Sequence, residues 1–186
     1  MATRPKLGEF ELIARYFSPL SVDQCGALGL CDDAALLPPS PGTVHVLTTD
    51  TLISGVHFSP DDTPDLIARK ILRVNLSDLA AMAAEPIAYL MALSLPNGFK
   101  EAWIQNFAAG LAQDQKEFGI GLLGGDTTTT PGPLSVTMTA IGKVETGREL
   151  RRSGARPGDT VFVSGTLGDA ALGLMAIGGN LSQLTN

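Results

Sequence analysis

The sequence predicts an α/β or α+β fold, and two observations carry that prediction. Stretches with apolar residues at every second position have the period of a strand, as in Ile87, Tyr89, Met91, Leu93 and Leu95. Longer stretches with apolar residues three and four apart have the period of a helix, as in Trp103, Ile104, Phe107 and Leu111. The two kinds interleave along the chain, which is the pattern of a sheet packed with helices.

Taken in order, Gly8 to Phe17 reads as a short amphipathic helix with Phe10, Ile13, Ala14 and Phe17 on one face, ended by Ser18-Pro19. Leu28 to Leu37 reads as a glycine-led turn into an apolar strand that Pro38-Pro39 closes. Gly42 leads into a second strand, Val44 to Leu47. Asp62-Thr63-Pro64-Asp65 is a helix start, with a capping residue, a proline in the first turn and an acid at the positive end. That helix is expected to reach about Ala84, followed by a strand from Pro86 to Leu95 and a second long helix from Lys100 to Phe118. Ile120 to Leu123 reads as a short strand, the threonines at 127–130 as a loop whose first members could bind phosphate or orient Asp126, and Leu134 to Val144 as a further strand. A boundary is expected near Thr146 to Gly158, which is rich in Gly, Arg and Pro. Beyond it, Thr160 to Ser164 reads as a strand and Asp169 to Ile177 as a helix, too little for a domain by itself. The expectation is one domain over 1–147, then a linker and the first strand and helix of a truncated second domain over 148–186.

A chain of 186 residues, 44% hydrophobic, can bury a core and is not disordered. Its formal charge of −6 argues against a nucleic-acid surface, which needs a basic patch. No run of eighteen apolar residues and no secretory h-region occur, so no membrane partner is expected. The two cysteines, Cys25 and Cys31, make neither a disulfide framework nor a metal motif, and a cytoplasmic location is the simple expectation.

Chemistry concentrates in four acidic places: Asp32-Asp33, Thr48-Thr49-Asp50, Asp78, and Gly124-Gly125-Asp126-Thr127. Each follows or ends an apolar segment, and most have small neighbours. Magnesium takes oxygen ligands, keeps several waters and uses one or two carboxylates with substrate phosphates. Separated acids that converge would therefore suit several ions holding a nucleotide. For each motif singly, ordinary turn chemistry is the blander reading. Asp78 lies on the stripe of Ile67, Ile71 and Val74, where a buried acid needs a positive partner. His57 reads as a core or turn residue, or as a group contacting substrate near Asp50. Gly119-x-Gly121-x-x-Gly124 has the dinucleotide spacing but opens no helix, and Ser164-Gly165-Thr166-Leu167-Gly168-Asp169 lacks the Walker lysine.

Taken together, the motifs resemble thiamine-monophosphate kinases. The likeness rests on Gly8-Glu9-Phe10, Asp32-Asp33-Ala34-Ala35, Thr48 to Leu52 with Gly55-Val56-His57-Phe58, Val74 to Met82, Gly124 to Thr128, and Arg152 to Asp159. It covers about Gly8 to Gly173, in order. The resemblance implies an aminoimidazole ribonucleotide synthetase-like N-terminal domain, a mixed sheet packed with helices, and a homodimer formed through its strands. It implies ATP-dependent, Mg2+-assisted phosphorylation of thiamine monophosphate to thiamine diphosphate. It also implies roles: Asp33, Thr48, Thr49, Asp50, Asp78 and Asp126 for magnesium; Asp33, Gly125, Asp126 and Arg152 for ATP; His57 for thiamine monophosphate. Cys31 and Ala84 depart from glycines usual in the family. A truncated, non-catalytic dimerisation and nucleotide-binding module is the alternative, as is the same fold acting on another substrate.

Overall fold

The computed structural model describes residues 8–177 and divides between Arg151 and Arg152 into two compact units. In the first, a short helix α1 (Glu9–Leu12) runs on through a π-helical turn, Ile13–Phe17, and single turns at Ser18–Ser21 and Cys25–Leu30. Then come β1 (Thr43–Ile53), α2 (Pro64–Ala81), β2 (Glu85–Pro96), α3 (Glu101–Phe118), β3 (Gly121–Thr130) and β4 (Ser135–Glu145). The second contains a turn at Arg152–Gly154 and α4 (Asp169–Ile177).

The sheet has the order β1-β4-β2-β3. β4 pairs antiparallel with both β1 and β2, while β3 joins β2 in parallel. A parallel neighbour needs a crossover, and α3 supplies it. The sheet is therefore mixed, with β1 and β3 as its edges.

One face of the sheet packs on α2, which packs in turn on α3. The core there includes Ile71, Leu72, Leu79, Tyr89, Leu93, Ile104, Phe107, Leu111 and Met138, all with no more than a trace of exposure. Over β2 and β3 the other face is covered by the N-terminal segment, where Ala27, Ala88, Leu123 and Ile141 form a smaller cluster. Along the edge strand β1 that face is open, and Leu47 is 63% exposed.

Several elements differ from the sequence reading for physical reasons. Residues 34–37 form no strand. Their backbone makes no ladder, and Leu36 N–H donates only to Gly26 O at 2.8 Å. The threonine run at 127–130 is strand, not loop, because these β-branched residues pair with Leu93, Ser94, Leu95 and Pro96 of β2. Helix α2 stops at Ala81 because Ala83 turns left-handed at φ 57°, and Ala84 N–H then closes on Leu79 O at 2.9 Å. The expected strand at 160–164 is likewise not formed among the described residues. Without a neighbouring strand its backbone has no ladder to join, and Val161 and Phe162 are each 88% exposed. The stretch from Gly178 onward lies outside the described residues.

Candidate functional site

The predicted site residues of the first unit fall into two groups. The first surrounds a cavity of about 590 Å³ beside β3, lined by Asp32, Asp33, Gly124, Gly125 and Asp126 among others. Strand register sets Asp126 opposite Ala92 and Gly125 opposite Met91. A Cβ on Gly125 would lie 1.8 Å from the Met91 carbonyl oxygen, so only glycine permits β3 to approach β2 here. Asp32 and Asp33 arrive from the other side on an exposed loop, where Asp33 N–H donates to Asp32 Oδ1 at 3.0 Å.

The second group lies at the opposite edge. Thr48 and Asp50 are on the α2 side of β1, with Val46 and Leu52, since strand side chains alternate. Thr48 Oγ1 donates to Asp78 Oδ2 at 2.6 Å, tying the edge strand to α2. The side chain of Asp78 is exposed, not buried. The buried polar residue on that helix is Asn75, whose Nδ2 donates to Ile71 O at 2.9 Å. The expectation that burial forces a cation onto Asp78 is therefore corrected: its carboxylate is exposed and accepts a hydrogen bond from Thr48. Thr49 faces the other way and is taken up by the sheet. Its hydroxyl donates to Met138 O and accepts from Thr139 Oγ1, each at 3.1 Å.

Asp50 and Gly125 occupy the same row of the sheet, Asp50-Met138-Met91-Gly125. Three strand spacings separate them, about 14 Å. One copy of the first unit thus holds Asp33 and Asp126 apart from Thr48, Asp50 and Asp78.

His57 sits in the tight loop that leaves β1. Its Nδ1 accepts the Ile53 N–H at 3.0 Å, which puts the proton of the neutral ring on Nε2 and leaves that nitrogen toward solvent. Lys70 of α2 holds the loop by donating to His57 O. Arg152 belongs to the second unit, on the turn Arg152–Gly154.

The donors in both groups are carboxylates and hydroxyls, the hard oxygen set that magnesium prefers. No three His, Cys, Asp or Glu side chains are gathered at metal-holding distance among the described residues.

Two features escaped the sequence reading. Asp114 of α3 has no exposed surface and is clamped by Arg69 Nε at 3.2 Å, Arg73 Nε at 2.7 Å and Arg73 Nη2 at 2.9 Å. Its position between Leu111 and Phe118 on the apolar stripe is the signal that marks it. The other is Gly26, whose backbone meets that of Leu36. No sequence spacing announces a contact between two loop backbones.

A four-stranded mixed sheet with α2 on one face and α3 behind it, acidic groups on both edge strands and a glycine-backed cavity define a mixed α/β domain. The chain belongs to the AIR synthase related protein family: that family's N-terminal domain matches residues 31–144. It is 51% identical over 168 residues to the thiamine-monophosphate kinase of Caulobacter vibrioides, an alignment covering 90% of this chain and 48% of the relative. The crystal structure of thiamine-monophosphate kinase from Stenotrophomonas maltophilia superimposes with a TM-score of 0.81 at 47% identity, covering 94% of this chain and 55% of that one. A structure of AaThiL complexed with AMPPCP and TMP gives a TM-score of 0.70 at 31% identity, with coverage of 95% and 54%. The chain thus spans about half the length of the curated relatives it matches.

Proposed function

We propose that this chain supplies the magnesium- and ATP-binding half of a thiamine-phosphate kinase, which phosphorylates thiamine monophosphate to thiamine diphosphate. The observation that carries this reading is the cavity where Asp32 and Asp33 face Gly124, Gly125 and Asp126. Glycine backbone there leaves room for phosphate oxygens, and the acids would hold the ions that accompany them. Magnesium, when bound, would neutralise charge between two phosphate anions during in-line transfer. Asp33 and Asp126 would hold it on one side, and Thr48, Asp50 and Asp78 on the other; the Thr49 hydroxyl, bonded to Met138 O and Thr139 Oγ1, would anchor β1 rather than reach the ion. Gly125 and Arg152 would meet ATP. His57, with its Nε2–H free, would donate to the phosphate of thiamine monophosphate. The acceptor is already a phosphate, so positioning and charge neutralisation supply the catalysis.

Asp50 and Asp126 lie on opposite edge strands of one sheet. A homodimer formed through those strands would bring the two groups together and cover Leu47. Domains at 1–147 and 148–186 and a cytoplasmic location complete the reading. No helix among the described residues is long and apolar enough to cross a membrane.

Incubating the chain, and a form extended to the relatives' length, with ATP, Mg2+ and thiamine monophosphate tests the proposal. Thiamine diphosphate is expected from the extended form; its absence there refutes the kinase reading. The half-length coverage favours a second outcome for the 186 residues themselves: a dimer that binds nucleotide without turnover.

A further inference from the structure

The segment that carries Asp32 and Asp33 is a closed loop. Its ends meet at a neck where Leu36 N–H donates to Gly26 O at 2.8 Å. At the same point a Cβ on Gly26 would lie 1.8 Å from Leu36 O and 2.9 Å from its carbonyl carbon. No side chain fits there: the neck exists only because residue 26 is glycine. The neck is fastened to the sheet. Gln24 Nε2 donates to Ile87 O of β2 at 3.2 Å, and Ala27, Leu30, Ala35 and Leu37 pack with Ala88, Leu123 and Ile141. The tip, residues 31–34, is exposed and makes no comparable attachment. Leu28, Gly29 and Leu30 all take left-handed φ, at 52°, 67° and 58°. For a leucine that conformation costs roughly 1–2 kcal/mol, so the loop holds this shape only while its ends are pinned.

We propose that Gly26 is a positioning residue: by closing the neck it sets Asp33 at the mouth of the cavity opposite Asp126. The inference rests on the proposed role of that cavity in binding Mg2+ and ATP. Leu36, 61% exposed, is the other half of the device through its backbone alone.

The test is calorimetric titration of ATP into the 186-residue chain over a series of Mg2+ concentrations, with the melting transition of Trp103 fluorescence recorded for each variant. Gly26→Ala opens the neck sterically, and Leu36→Pro removes its N–H donor. Each is expected to raise the Mg2+ concentration needed for ATP binding by roughly 10- to 100-fold, the scale of losing a ligand's support. The melting transition should stay in place, because the core on α2 and α3 is untouched. Wild-type chain that binds while both folded variants bind equally well overturns the inference and leaves the functional reading standing. Wild-type chain that does not bind ATP with Mg2+ overturns both. If Gly26→Ala does not fold, Leu36→Pro decides; if neither folds, the neck is a structural staple and the positioning role is refuted.

Discussion

Replacing Arg73 should destabilise the protein more than replacing Asp114, although the two share a pair of bonds; Arg73 also donates to Glu117 at 3.1 Å and lies over the Phe118 ring. The Asp114 carboxylate is fully buried, whereas the side chains of Arg73 and Arg69 are 42% and 32% exposed. In Asp114→Asn the buried group becomes neutral and both guanidinium groups can return to water. The loss is then that of charge-assisted hydrogen bonds, about 2 kcal/mol. In Arg73→Met the carboxylate stays buried and keeps only the 3.2 Å bond from Arg69. Stripping a buried charge of its partner costs about 3–5 kcal/mol, and with Arg69 still bonded the loss lies toward the lower end of that range. The hydrogen bond to Asp114 also holds the Arg73 guanidinium above its ordinary pKa, so Arg73 stays charged at any working pH. Urea unfolding followed by Trp103 gives the comparison directly. That tryptophan is the chain's only one and stacks on Phe107 of α3 at 5.0 Å between ring centroids. Equal midpoints, or a larger loss in Asp114→Asn at unchanged urea slope, would refute the reasoning.

Other expectations follow from single positions. Asp78→Asn should cost at most about 1 kcal/mol in urea unfolding, since the acid is exposed and makes one bond to Thr48. The same change should weaken Mg2+-dependent ATP binding by on the order of 100-fold or more, since even outer-shell changes reach that scale; unchanged binding removes Asp78 from the site. Ala83→Gly should raise stability by about 1 kcal/mol, because Ala83 sits at φ 57° where the helix stop requires left-handed backbone. A lower melting temperature would contradict this. Burial raises the Tyr89 phenol above its ordinary pKa, while the hydrogen bond from Gln115 acts weakly the other way. The unfolded chain then releases this proton first, so its contribution is full below about pH 10 and falls as pH rises further. Urea midpoints of Tyr89→Phe should therefore decline less between pH 9.5 and 11 than those of the parent, on the order of the phenol's ordinary pKa; parallel declines would exclude the effect.

Periodicity and turn chemistry determined a good part of this protein. The alternation in β2 and β4, the stripe of α3 and the Thr63-Pro64-Asp65 start of α2 are local, and the structure follows them within a few residues. The acidic motifs were legible for the same reason, since residue type and small neighbours are written in the chain. What the sequence could not decide was which of two acids on apolar stripes would be buried. Asp78 and Asp114 satisfy the same spacing argument, but only Asp114 meets a second helix, and that helix brings Arg69 and Arg73 to it. Asp78 meets the edge of the sheet and stays in water. The strand at 127–130 and the missing one at 34–37 divide similarly: a strand forms where a neighbour offers a ladder, and β2 offers one to the threonines. Strand order was decided only by tertiary structure as well. The order β1-β4-β2-β3 puts Asp50 and Asp126 on opposite edges, and closes the Gly26–Leu36 neck over the face of β2 and β3. Such relations depend on which segments become neighbours in space, which no local pattern encodes.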